Sequence, residues 1–132
     1  MYNGIYTKEQ FAYNYDVIKK WLELKVYGDS LGDRLKIKGI DCVAIYGAND
    51  IGKMAYEDIK QDIIVKVFID KKAREIPNID GIDVIVPSDT KTLPNDCYVL
   101  VTPEYFFKDI AEVLLLNGIR EDNIVSLAMV VG

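Results

Sequence analysis

The chain has 132 residues, half of them hydrophobic and 28% charged, the balance of one globular domain whose core needs no disulfide or metal staple. With 16 basic and 21 acidic residues the formal charge is −5, which argues against a nucleic-acid partner, because such binders carry a basic stripe. Histidine is absent and there are two cysteines, so Ser-His and Cys-His nucleophiles, histidine acid–base chemistry and a zinc site are excluded.

Thr7 and Gln10 have the spacing of a capping box, in which each side chain bonds the other's backbone amide. From there Phe11, Tyr15, Ile18 and Leu22 recur at helical spacing, and Tyr13, Val17, Trp21 and Leu24 form a second row beside them. The pattern predicts a helix over residues 7–27, closed by Gly28. Ser30 and Asp33 predict a second, shorter capped helix carrying Leu31 and Leu35. Together they make an N-terminal helical arm over residues 1–38, packed on its own domain or at an interface, ahead of a ligand-binding domain over residues 39–132.

The pattern then turns extended. Residues 40–46 are mostly apolar, as in a strand buried on both faces. Gly47-Ala48-Asn49-Asp50-Ile51-Gly52 is a glycine-punctuated turn leading into a helix over residues 53–61. A second strand is expected at residues 63–69, ended by Asp70-Lys71-Lys72. After a loop with Pro77 and the turn signal Asp80-Gly81 comes a short strand at residues 83–86. Residues 87–96 read as a polar loop, residues 97–101 as a fourth strand ended by Thr102-Pro103, residues 105–117 as a helix capped by Gly118, and residues 123–129 as a fifth strand. Strands alternating with helical connections imply an α/β fold of three layers around a parallel sheet. About five strands in the doubly wound order 3-2-1-4-5 are expected, with an irregular crossover between the second and third.

In such a sheet the turn after the first strand is the place for a ligand. Gly47 turns the chain out of the strand, small residues admit phosphate to the backbone amides, and Gly52 lets the helix pack closely. Asn49 stands where a middle glycine would be, and Asp50 brings a negative charge that favours the helix but repels a phosphate. Asp70 follows Gly47 by 23 residues, close to the spacing of an acid that meets ribose hydroxyls. Lys71 and Lys72 could meet a phosphate, and Thr102 would face the same crevice. The candidate cofactor-binding set is therefore Gly47, Ala48, Asn49, Asp50, Ile51, Gly52, Asp70, Lys71 and Thr102, with no catalytic residue and no metal ligand.

Residues 43–52, Val67-Phe68-Ile69-Asp70 and Gly81-Ile82-Asp83-Val84 resemble the Rossmann-like domains of bacterial surface-polysaccharide biosynthesis. Such domains form the N-terminal parts of sugar acyltransferases and of capsule nucleotide-sugar epimerases and dehydratases, and occur beside glycosyltransferases. The resemblance implies binding of a nucleotide, a nucleotide sugar or NAD, with catalysis left to other domains. A protein–protein interaction module that has kept the fold and lost the ligand is the alternative, motivated by Asn49, Asp50 and the aromatic first helix. A small NAD-dependent sugar-nucleotide enzyme is a further one.

Other patterns have plainer readings. Tyr15–Lys19 and Tyr56–Lys60 match a dehydrogenase Tyr-x-x-x-Lys spacing but lie too early in the chain. Cys42 and Cys97 fall on strands expected to be neighbours and read as buried free thiols, and Tyr105-Phe106-Phe107 reads as core packing. No apolar run approaches the about 20 residues of a membrane span. Residues 1–4 lack the basic start of a leader. A cytoplasmic protein without membrane insertion is expected, with a homodimer or partner domain met through the first helix.

Overall fold

A computed structural model describes residues 7–132; residues 1–4, read above for a leader, lie outside them. Helix α1, Lys8–Val26, begins at the expected capping box: Gln10 N donates to Thr7 Oγ1 at 3.1 Å, and Thr7 N to Gln10 Oε1 at 2.8 Å. Helix α2, Leu31–Ile37, begins where Asp33 N donates to Ser30 Oγ at 3.0 Å. Then follow β1 Cys42–Tyr46, α3 Asp50–Ile59, β2 Ile64–Ile69, β3 Asn78–Ile79, β4 Ile82–Ile85, β5 Tyr98–Val101, α4 Phe107–Leu116, β6 Ile124–Ser126 and α5 Leu127–Val131.

The fold is α/β, with a mostly parallel sheet of six strands in the order β3-β4-β2-β1-β5-β6 and an N-terminal helix. This corrects the expected five strands in the order 3-2-1-4-5. The additional strand, β3, lies at the edge and pairs antiparallel with β4, Asn78 opposite Asp83 and Ile79 opposite Ile82. Asp80 and Gly81, both at positive φ (51° and 80°), make the two-residue hairpin between them. Two residues are too few to show alternation, so the strand was invisible as a pattern while its turn was not.

Other boundaries move as well. The expected fifth strand stops at Ser126, whose hydroxyl accepts from Met129 N at 3.1 Å and starts α5; a cap overrides an apolar run rich in β formers. Helix α3 starts at Asp50, not Lys53, because Asn49 Oδ1 accepts from Gly52 N at 3.1 Å and caps it. The polar loop after β4 contains a 3-10 stretch, Pro87–Thr92, and another, Glu104–Phe106, precedes α4.

Alternate residues of the central strands face two cores. On one face Val43, Ile45, Phe68 and Leu100 pack with Leu31 and Leu35 of α2, Ala55 and Ile59 of α3, and Leu127 and Val130 of α5. On the other Ala44, Tyr46, Val99 and Val101 pack with Ile110 and Leu114 of α4. The helical arm sits on its own domain: Val17, Trp21 and Leu24 of α1 join the first core. One of its two apolar rows is covered from Val17 onward, with Tyr13 47% exposed, whereas in the other Phe11, Tyr15 and Leu22 remain 51%, 68% and 61% exposed. Among the described residues no helix is long and apolar enough to cross a membrane.

Candidate functional site

Strand β1 lies between β2 and β5. The chain leaves β1 through α3 toward β2, and the other half of the sheet begins at β5, so the order reverses between β1 and β5. At such a point the loops beyond the carboxyl ends of the two strands part and leave a crevice. Here those loops are Gly47–Asn49 and Thr102–Pro103.

The glycine turn is built as its residue types require. Gly47 has φ +111°, and a Cβ there would stand 2.5 Å from Thr102 Oγ1. A Cβ at Gly52 would run into the Gly47 carbonyl, with the carbonyl carbon at 3.0 Å, so the first turn of α3 rests directly on the loop. Asp70 ends β2 beside them: its Oδ2 accepts from Ala48 N at 2.9 Å and its Oδ1 from Lys72 N at 2.8 Å. Thr102 is 2% exposed, and both its hydroxyl (2.7 Å) and its amide (3.1 Å) donate to Tyr46 O. Burial, with a smaller contribution from the Asp70 charge, holds the Tyr46 phenol above its ordinary pKa.

The structure thus brings Gly47, Ala48, Gly52, Asp70 and Thr102 together, with Asn49 as helix cap. Asp50 and Ile51 are the first two residues of α3, Asp50 exposed and Ile51 partly buried against the core. Lys71 and Lys72 are exposed. The polar groups that were to meet a ligand are turned on one another: the Ala48 amide on Asp70, the Gly52 amide on Asn49, and the Thr102 hydroxyl on Tyr46.

Helix α1 adds a component that the turn alone does not reveal. Its Gln10 and Asn14 face Asn49, Ile51, Thr102 and Glu104 across a cavity of about 40 Å³. Tyr13 meets the ring of Tyr105 edge-on, centroids 6.4 Å apart. The arm, expected to pack on its own domain or at an interface, therefore lies across the mouth of the crevice.

Glu104, two residues beyond Thr102, is a site residue that the sequence pattern did not single out. It is 6% exposed, and its Oε2 accepts from Ala128 N at 3.1 Å. Burial pushes its carboxyl above the usual range, against the opposing pull of that amide, the Ser126 hydroxyl and the Leu127 amide. The one available signal was a charged residue directly after a strand-ending Thr-Pro. Beside it the aromatic run divides: Phe107 packs on the second core, whereas Tyr105 and Phe106, expected in a core, are each 45% exposed. The two Tyr-x-x-x-Lys pairs have structural settings. Tyr15 is on the exposed face of α1, and Tyr56 packs against Phe68 with Lys60 Nζ 5.3 Å from its ring centroid.

A depression of about 500 Å³ lies beside Glu104, lined in part by Tyr13, Tyr105, Lys108 and Met129. A groove of about 300 Å³ between α1 and α3 is lined by Ile18, Trp21, Leu22 and Met54, with Asp58 at its polar rim. Among the described residues no group of three or more His, Cys, Asp or Glu side chains could hold a metal ion.

No curated protein and no solved structure matches the chain. A family model described as "C2185-like, N-terminal" matches residues 39–125, which take in the sheet from β1 into β6 and leave α1, α2 and α5 outside. With about two-thirds of its length inside that match, the chain belongs to the C2185-like N-terminal family.

Proposed function

We propose that the chain is a non-catalytic domain of Rossmann-like layout that works as a protein–protein interaction module, its ligand crevice closed by its own first helix. One observation carries this reading: the space between α1, the α3 cap and Thr102 is about 40 Å³, against the roughly 300–1,000 Å³ of small-molecule sites. The surface offered to a partner domain or a second copy is the outer row of α1, where Tyr15 and Leu22 stand 68% and 61% exposed, together with Tyr27 at its C-cap, 87% exposed. Aromatic residues in such a patch are the usual anchors of an interface. Trp21, at 8% exposure, belongs to the packing of α1 on its own domain. The interface is therefore tested with Tyr15→Glu and Leu22→Glu by light scattering after gel filtration, where an unchanged mass and an unchanged partner profile count against it.

A second reading has its own support. The Asp70 carboxylate lies 2.9 Å from the Ala48 amide, directly beside the glycine turn, where an acid meets a ribose in dinucleotide-binding turns. On that reading the chain is an accessory nucleotide, nucleotide-sugar or NAD domain of bacterial surface-polysaccharide or sugar-nucleotide metabolism, a setting that rests on the family resemblance. Ligand entry then requires α1 to move. A thermal-shift panel of NAD, NADP, coenzyme A, UDP, GDP and nucleotide sugars separates the two readings. A bound ligand at about 100 times its Kd adds about 2.7 kcal/mol of stability; the interaction module gives no shift, and a shift abolished by Asp70→Ala replaces it with the nucleotide reading.

A further inference from the structure

The two cysteines meet at the end of the sheet opposite the glycine turn. Cys42 opens β1 and Cys97 directly precedes β5. These strands are paired in parallel from Val43 opposite Tyr98 to Tyr46 opposite Val101. One residue before the first of those pairs, both side chains point to the same face. There Cys42 Sγ donates to Cys97 Sγ at 3.0 Å. Both thiols are free; Cys97 is 1% exposed, and Cys42 is only partly buried, packed at the margin of the second core.

We propose that Cys42 and Cys97 form an intramolecular disulfide by exchange with a small-molecule disulfide of the glutathione class. Neighbouring strands lie about 4.8 Å apart, inside the span that a disulfide bridges without backbone movement. Cys42 is the less buried of the two thiols and so the first that a soluble reagent meets. Its thiolate attacks one sulfur of glutathione disulfide, making a mixed disulfide on Cys42 and releasing one glutathione thiolate. Cys97 then loses its proton, attacks Cys42 Sγ and expels the second glutathione thiolate. Two protein thiols are oxidised by two electrons, one glutathione disulfide is reduced to two glutathione molecules, and the two protons pass to those thiolates. Cys97 fits the closing role: burial first, and then the contact with Cys42, in which Cys97 keeps its proton, push its thiol well above the usual range, so it is a poor first nucleophile. Contact with Cys42 supplies by position what it lacks in ionisation. The bridge ties together residues 55 apart in sequence and fixes the two strands that flank the crevice.

The test uses the reduced full chain. It is incubated with oxidised glutathione under native conditions, quenched with an alkylating reagent and read by intact mass, by thiol count after denaturation and by peptide mapping. Expected are a mass lower by two hydrogens, no free thiol, a single-chain species on a non-reducing gel, and a Cys42–Cys97 linked peptide. In Cys97→Ser the product stops as one glutathione on Cys42. A wild-type chain that keeps both thiols, stops at the glutathione adduct or links to a second chain overturns the proposal. A Cys97→Ser chain that takes up no glutathione overturns the order of attack.

Discussion

Replacing Asp58 with alanine removes the point at which three helices meet. The carboxylate, in the last turn of α3, accepts from Trp21 Nε1 at 2.9 Å and from Leu31 N at 3.0 Å, and pairs with Lys25 Nζ. Loss of the acceptor strands the Trp21 N–H, because that side chain is 8% exposed, at a cost of about 1–3 kcal/mol. The Leu31 amide is in the first turn of α2 and loses a bond to a charged acceptor, roughly 1 kcal/mol once water replaces it. Lys25, with its side chain 46% exposed, adds less than about 1 kcal/mol after solvent screening. The sum is about 3 kcal/mol, a large fraction of the about 5–15 kcal/mol that holds a domain folded, and lowers the melting midpoint by about 10 °C. The chain has one tryptophan, so urea unfolding followed by Trp21 emission reads the stability and the anchor together. Asp58→Ala shifts the native emission to the red and lowers the midpoint, and Asp58→Asn, which keeps one acceptor, falls between. A loss under about 1 kcal/mol with unmoved native emission would refute Asp58 as the residue that seats α1.

Gly52→Ala is expected to destabilise by about 2 kcal/mol or more, although alanine gains about 1 kcal/mol of helix propensity, because the new methyl meets the Gly47 carbonyl; a stabilised variant in chemical denaturation would remove the close approach. Leu100→Ala, at a fully buried position in the central strands, should cost about 2–5 kcal/mol by cavity formation, checked in the same assay. Glu104 titrates above the ordinary carboxylate range when folded, so the unfolded chain gives up this proton first and folding stability falls as pH rises through that interval. Glu104→Gln should flatten that decline, so its melting midpoint gains on the wild type from acid to neutral pH; parallel curves would count against the raised pKa of Glu104.

What could be read from the residues follows how local the deciding interaction is. Thr7 with Gln10 and Ser30 with Asp33 are complete within four residues, and both helices start where those caps place them. The apolar runs of β1, β2 and β5 were equally legible. The helix at residues 127–131 was not, because Leu-Ala-Met-Val-Val has no period of its own, and what sets it is the Ser126 cap together with a carboxylate from Glu104. The two apolar rows of α1 look equivalent in sequence, and only the placement of α5 and the sheet selects Val17, Trp21 and Leu24 for burial. Asp58 reads as one more exposed helical acid, since its partners lie 27 and 37 residues away. In the candidate site the turn and Asp70 were visible, and the helix over the crevice was not, because nothing in residues 47–52 encodes a neighbour from residues 10–14.

The seat of the helical arm also sets the order in which the protein can be completed during synthesis. Helices α1 and α2 leave the ribosome ahead of α5, yet α1 packs against α5, and Arg34 of α2 donates to the Val130 carbonyl, 96 residues further on, at 3.4 Å. At about 5–20 residues per second, roughly 5–20 s separate the two ends of that contact. Over that interval the row of Val17, Trp21 and Leu24 has no finished surface to cover it. The arm is thus made well before the α5 surface that covers it, and its apolar row stays uncovered on that side until the chain has been extended through α5.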